Sequence, residues 1–365
     1  MLRRTASYYP LAVTVLFGLL VSLLPISPAL GDNIGACQGN TTTTATLTLG
    51  GRVITPSQIL LANGSQSCAD GGKKLSLISM SHTIVVSPNG TPAQNGTALF
   101  TAMTTISNST PSVDNPWLLK LEPGNYDLGM RALSLKPFVD LEGSGEGTTV
   151  ISSTAGGVAV ITASNSEIRF VKITNTTSLN NPVAIYVPDN ATNVRLTHVT
   201  ASATDNGSNN SYSLIVNAGD VVVVDSSTIS AYGSPGNSAS YGLFMNGGSV
   251  TVKNSTVSAS GNNVTTALYN HVSGGTVLVQ NSTLTGTGGV SSYGLDVANT
   301  TVTVQNSALT ATGASSYGLY SSGGTINIGT SQLSGSTGSA YKFGGTLTCV
   351  ASYNGSFAPL SAACQ

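Results

Sequence analysis

Charge is what this chain has least of, with 13 Lys and Arg against 14 Asp and Glu in 365 residues. So few cations cannot cluster into the positive surface that phosphate binding needs, which excludes nucleic acid as a partner. Glu and Lys, strong helix formers, are scarce with them, and this excludes the helical repeat arrays. Three histidines and dispersed carboxylates give no metal-ligand spacing, and the Ca-binding G-G-x-G-x-D repeat is missing, so neither metal nor cofactor is expected. No G-x-S-x-G elbow stands between a strand and a helix. What remains is rich in Ser, Thr, Asn and Gly, short polar residues that suit flat stacked faces and tight corners.

Long apolar runs are also lacking, save one. Leu11 to Leu24 follows Arg3 and Arg4 and ends at Pro25 and Pro28, with small residues Ala29 and Gly31 beyond. The run is shorter than the ~18 to 20 residues of a membrane span. It reads as a secretory signal over 1–31, cleaved after Gly31, with no transmembrane segment thereafter. Losing Arg3 and Arg4 leaves 11 basic against 14 acidic side chains, a net charge of about −3. The mature chain is expected outside the cell, secreted or held at the cell surface.

Cysteine is sparse: Cys37, Cys68, Cys349 and Cys364, two near each end and none between. An even number in an exported chain suggests disulfides, and of three connectivities the economical one pairs Cys37 with Cys68 and Cys349 with Cys364. Lipidation of Cys37 is the alternative. Asp32 and Asn33 beside it, and the lone Cys68 it would leave, speak against it.

What is there is a repeat. YGLFMNGGSVTVKNSTVSASG from Tyr241, YGLDVANTTVTVQNSALTATG from Tyr293 and YGLYSSGGTINIGTSQLSG from Tyr317 say one phrase three times, and TALYNHVSGGTVLVQNSTLTGTG from Thr266 is a degenerate copy. A period of 20 to 50 residues marks a solenoid, in which each repeat buries its apolar face only against its neighbours. Aligning the repeats gives three apolar stacks per turn. The first runs through Ile185, Leu214, Leu243, Leu268, Leu295, Leu319 and Phe343. The second pairs Ile168 with Phe170, Val194 with Leu196, and so on to Ile326 with Ile328. The third runs through Ile173, Val199, Ile229, Val257, Leu284, Leu309 and Leu333. The fold expected is all-β, a right-handed parallel β-helix of about ten coils. Residues 32–81 read as an N-terminal cap of short strands with a turn at Asp70-Gly71-Gly72, 82–348 as the β-helix, and 349–365 as a disulfide-closed C-terminal cap. Leu99, Ala102, Met103 and Ile106 at i, i+3, i+4 and i+7 predict one short helix at the N-terminal end of the column.

The opening order of Thr83-Ile84-Val85-Val86, a Pro88-Asn89-Gly90 turn, that helix, then WLLKLEPGNY from Trp117 and VDLEGSGEGTTVI from Val139 resembles the start of β-helix proteins of the pectin lyase-like superfamily, pectin methylesterases most of all. The resemblance covers about 82 to 155 in motif detail. It implies fold; chemistry does not follow from it. Members of the superfamily carry recognisable catalytic motifs, and this chain lacks them. The D-F-I-F-G and G-R-P-W stretches of the methylesterases, the W-x-D-H and R-x-P-x-x-R patterns of pectate lyases, and the N-T-D, paired D-D and R-I-K elements of polygalacturonases are all absent.

Three groups of residues remain as candidates. Asn254, Asn281 and Asn306 follow the second strand at one corner, aligned with His198 and Lys172, and read as a structural amide ladder. Arg169 and Arg195 read as an outward pair in consecutive coils, able to contact an acidic sugar or to be a solvated face. Strict alternation places Tyr186, Ile215, Phe244, Tyr269, Asp296 and Tyr320 in an outward stripe, with Tyr241 inward beside Leu243. Exposed rings in a line suit stacking on sugars, or serve as a ladder that stiffens the sheet. The function expected is a non-catalytic β-helix protein that binds a polysaccharide or a cell-surface partner. A carbohydrate-active enzyme (lyase, hydrolase or esterase) with an unusual active site is the alternative, and a fibre-like component the second.

Overall fold

The computed structural model describes residues 82–365, apart from 220, 235–238, 262 and 273, and five short strands before them. Contacts divide the chain into two units, Met1–Ser81 and His82–Gln365. In the first, Gly35–Gln38 pairs antiparallel with Ile59–Ala62 and with Lys73–Ser76, and Leu47–Leu49 pairs with Arg52–Ile54. The Asp70-Gly71-Gly72 turn, Cys68 and the Cys37 side chain lie outside the described residues.

The second unit is a right-handed parallel β-helix. Its strands form three faces, and two of these run into one continuous sheet. The third face is a separate sheet of nine parallel strands, from Leu133–Ser134 to Gly338–Lys342, close to the number of coils expected. Helix α1, Pro92–Asn108, is the helix expected at this end, and it buries Leu99, Ala102, Met103 and Ile106 as their spacing requires. Thr91 caps it, accepting from the Gln94 backbone N–H at 3.3 Å, while the Gln94 side chain accepts from the Thr91 N–H at 2.8 Å; Pro92 opens the first turn. A Cβ on Gly96 would fall 1.8 Å from the Asp127 carbonyl oxygen, so only glycine lets the helix lie this close on the first coil.

The inward rows run nearly as the repeats predict, with three corrections. On the third face Leu319 pairs with Ala340, not Phe343, which is 79% exposed past the last strand. On the second face Ala201, not Val199, stands between Ile173 and Ile229. Phe170 is not a core residue but a corner residue: Ser166 pairs with Val194 and Ile168 with Leu196, so the inward pair of that coil lies two places earlier than the apolar match of Ile168 and Phe170 suggests.

The corner between the first and second faces is the most regular part of the molecule. Phe170, His198, Ser226, Asn254, Asn281, Asn306, Thr330 and Ala351 occupy it in successive coils, all with φ between 48° and 54°. This left-handed turn favours Asn among residues with a side chain. Lys172 is not in the row; it pairs with Thr200 one step into the second face. Amides do bond along the corner, Asn254 Nδ2 to Asp225 at 3.1 Å and Asn281 Nδ2 to Asn254 at 3.3 Å.

Immediately after the corner comes a buried serine ladder, Ser227, Ser255, Ser282, Ser307, Ser331 and Ser352. Each Oγ accepts the backbone N–H of the coil before, at 3.0 to 3.3 Å, and donates to the carbonyl two residues back in its own coil. The turn withdraws a backbone N–H from the ladder of strands, and the serine replaces its lost partner.

At the C-terminal end Cys349 takes the last place in the inward row of Val304 and Ile328. Its bridge to the fully buried Cys364, 15 residues on, folds the tail back on the final coil. Replacing both cysteines with serine should cost on the order of 3 kcal/mol from loop-closure entropy, read by denaturant unfolding. An unchanged midpoint would show that the tail adds nothing to the column. Ser282→Ala should cost about 1 to 3 kcal/mol by orphaning the buried Ser255 N–H, whereas loss of under about 0.5 kcal/mol would mean that water replaces the hydroxyl.

Candidate functional site

The third face carries the aromatic stripe, and it is twice as wide as strict alternation predicts. Pairing runs Tyr186, Ile215, Phe244, Tyr269, Asp296, Tyr320, Tyr341 in one outward row. A second row, three residues earlier in each strand, runs Tyr212, Tyr241, Thr266, Tyr293, Tyr317. Tyr241 is therefore outward, not inward. The pairing skips Ser213, Gly242, Ala267, Gly294 and Gly318, where each strand kinks and two consecutive residues face the core. A Cβ on Gly242 would lie 2.7 Å from the carbonyl oxygens of Ala267 and Ser258, so the kink draws the backbone inward. In coils where the position is not glycine it is Ala267 or Ser213, and Ser213 donates to the Ala201 carbonyl at 2.8 Å.

The rings are half-buried because they pack on each other. Tyr212, Tyr241, Phe244, Tyr269 and His271 form one cluster, with centroids 5.1 to 5.8 Å apart. Tyr293, Tyr317, Tyr320 and Tyr341 form another, at 5.1 to 6.3 Å. Among the described residues no ring contact joins the two. Tyr186 stands apart from both, its hydroxyl accepting from Asn217 Nδ2 at 2.6 Å.

Asp296 lies at the seam between the clusters, with Tyr269 above it and Tyr320 below it in its row. Its charge also reaches Tyr241 and Tyr293. Among the described residues its carboxyl has no ion pair and no hydrogen bond. Desolvation by the rings pushes its pKa from 3.8 to about 7. Burial, with the Asp296 charge behind it, pushes the hydroxyls of Tyr241, Tyr269, Tyr293 and Tyr320 up as well, so all four remain protonated donors.

The arginines sit otherwise than expected. Arg169 pairs across the coils with Thr197, while Arg195 pairs with Glu167, so the two are not at one position. Arg169 is held by three carboxylates: Glu142 at 2.7 Å, Glu167 at 2.9 Å and Asp140 at 3.2 Å. Lys120 pairs with Glu142 from the other side. Burial pushes Glu142 up, but the two cations outweigh it and hold the carboxyl below its usual range. On Asp140 burial wins and the pKa rises. Arg169 is thus spent within the fold and is not open to a uronate. Arg195 is exposed and makes no ion pair among the described residues. Asp220 lies outside the described residues.

Among the described residues no three His, Cys, Asp or Glu converge on a metal position, and no helix is long and apolar enough to cross a membrane. No family model and no curated protein matches the chain. Among solved structures it is similar to the A-module of a mannuronan C-5 epimerase from Azotobacter vinelandii, at 15% identity over 71% of this chain and 75% of that one, TM-score 0.34. It is similar to DFA-IIIase from Arthrobacter chlorophenolicus in complex with DFA-III, at 16% identity over 69% and 68%, TM-score 0.41. It is also similar to the pectin methylesterase PemA from Erwinia chrysanthemi, at 14% identity over 61% and 78%, TM-score 0.32. The likeness is one of fold.

Asp296 generates a prediction with a definite sign. Between about pH 4 and pH 7 the unfolded chain has released this proton and the folded chain keeps it, so stability falls as pH rises through that window and levels off above it. Asp296→Asn keeps the shape without the charge. From pH 5 to pH 8 the wild-type melting temperature should fall relative to that of the variant, and parallel profiles would mean that the carboxyl is solvated.

Proposed function

We propose that the chain is a secreted β-helix protein whose third face binds carbohydrate without transforming it. The observation that carries this reading is the double row of rings on one flat sheet, half-buried against each other and open on the outer side. A sugar ring laid on such a surface buries apolar area at ~25 cal/mol per Å² while its hydroxyls meet the tyrosine hydroxyls at the edges. The strands of this face repeat the rings from coil to coil, which fits an extended chain of sugars better than a single compact ligand. Leading the chain out of the cell is the role assigned to 1–31, and the Cys349–Cys364 bridge is the kind that an oxidising compartment keeps.

A second reading, a carbohydrate-active enzyme, is favoured by one observation: Asp296 holds a proton near neutral pH, as a general acid must. Glycoside hydrolysis by a carboxyl pair needs a second carboxylate about 5 to 9.5 Å away. No other Asp or Glu lies in the nine strands of this face. Binding is therefore the better-supported reading.

A glycan array tests it. Phe244, Tyr269 and Tyr320 replaced together with Ser should abolish binding to the glycans that the wild type retains. Because these rings pack on their neighbours, the melting temperature will fall as well, so affinity is to be measured below the variant's unfolding transition. Unchanged affinity in the folded variant would make the rings a structural ladder. New reducing ends, unsaturated products or methanol release from any bound polysaccharide, lost in Asp296→Asn, would establish the enzyme reading instead.

A further inference from the structure

The first aromatic row breaks at Ile215 and again at Asp296, and the second breaks at Thr266; the breaks at Thr266 and Asp296 fall in adjacent coils, diagonal to each other across the Thr266–Tyr293 and Tyr269–Asp296 pairs. Thr266 replaces a ring between Tyr241 and Tyr293, and Asp296 replaces one between Tyr269 and Tyr320. The two ring clusters part at this place. Among the described residues each of these two interruptions leaves a polar group without a partner: the Thr266 Oγ1 is fully buried and makes no hydrogen bond, and the Asp296 carboxyl makes none either. An orphaned polar group inside a fold costs stability, and so does a carboxylate taken from water with no counter-charge. The repeat had a ready alternative at both positions, since a tyrosine stands there in neighbouring coils.

The groups facing Asp296 are Tyr241, Tyr269, Tyr293 and Tyr320, all neutral; the basic side chains along this face are His271, which shares a hydrogen bond with the Tyr269 hydroxyl at 3.2 Å, and Lys342, which donates to the Gly345 carbonyl. A lone carboxylate ringed by aromatic faces is complementary to a cation, and to an ammonium group in particular, which gains the ion pair and the ring quadrupoles together.

We propose that the seam at Asp296 and Thr266 binds the ammonium group of an amino sugar, so that the stripe takes a glycan carrying free amines. The inference rests on the carbohydrate reading of the stripe and names its ligand class. The surrounding tyrosine rows hold the flanking sugars, and the carboxylate selects the unit between them. A uronate at this position would meet a like charge, which turns the face away from acidic polysaccharides.

Calorimetric titration of the full chain at pH 7 with tetramers of glucosamine, N-acetylglucosamine, glucose and galacturonic acid, and with a lysine-rich peptide, tests it. The glucosamine tetramer should bind about tenfold tighter than the glucose tetramer, the gain of one charge-assisted contact. Asp296→Asn should remove that difference, while Asp296→Glu should restore part of it. Carboxyl NMR should show the Asp296 titration midpoint falling on addition of glucosamine tetramer, since a bound cation favours the ionised form. Equal affinity for charged and neutral tetramers, indifferent to Asp296→Asn, would overturn the ammonium site and leave the stripe standing as a binder of neutral glycan. Absence of binding to every tetramer would overturn both. Tighter binding of the lysine peptide than of the glucosamine tetramer would reassign the seam to a protein partner and overturn the sugar.

Discussion

Coil-to-coil register is the constraint on which everything else in this molecule depends. A parallel β-helix has no core in the globular sense; each inward side chain packs on its equivalents one coil up and one coil down. A slip of one residue in any strand would turn its apolar set outward. What holds register here is the corner, where eight successive coils take one left-handed residue, and the serine that follows it. Asn tolerates the turn, and the next residue's Oγ repairs the backbone bond that the turn breaks. The Asn-Ser pair of the repeated phrase is a single device in two residues, one making the corner and one making it affordable. The earliest coils, with Phe170 and His198 at the corner, instead stack their rings at 5.2 Å and put Val171 and Val199 at the serine position.

Register fixes the outer faces as firmly as the core. Because every strand of the third face kinks at the same place, the outward side chains fall three residues apart instead of two, and two aromatic rows run side by side. One row of rings would be exposed on both flanks. Two rows shield each other, which explains how a face with so many tyrosines remains half-buried. The same shielding removes water from Asp296. Its raised pKa is a consequence of neighbours that the fold aligned, not of any partner reaching toward it.

Much of this was legible in the sequence. The repeat gave the solenoid, the spacing of Leu99, Ala102, Met103 and Ile106 gave the helix face, and the cysteines near the C-terminus gave the bridge. The outer row through Phe244, Tyr269, Asp296 and Tyr320 followed from counting along the strands. The second row did not, although Tyr241, Tyr293 and Tyr317 open the repeated phrase. Alternation at period two assigns them inward, and only the small residue after each, Gly242, Gly294 or Gly318, marks the kink. That Y-G-L signal was present and was outweighed by a rule that holds for unbroken strands. The arginines failed for a different reason. Arg169 and Arg195 align if the first-face strands are matched by their apolar pairs, but Phe170 belongs to the corner, and moving it shifts Arg169 by two places relative to Arg195. Nor could spacing along the chain reveal that Asp140 and Glu142 of the preceding coil join Glu167 on one guanidinium, since that contact forms only across coils.

Two carboxylate environments in this one column show why position outweighs residue type. Glu142 lies half-buried between Lys120 and Arg169, and its charge is stabilised so far that the pKa falls. Asp296 lies half-buried among rings, and with nothing to answer its charge the pKa climbs. The first is finished within the fold, its hydrogen bonds made and its charge balanced. The second is unfinished: in the free protein its cost is met by holding a proton, and at the proposed ammonium site a bound cation would remove that cost. A repeat protein can replace one residue of a row with another of the row's common type at little expense to its neighbours, so an interruption that weakens the fold is retained only against a gain made elsewhere. On a face otherwise made of rings and hydroxyls, the gain we propose is binding.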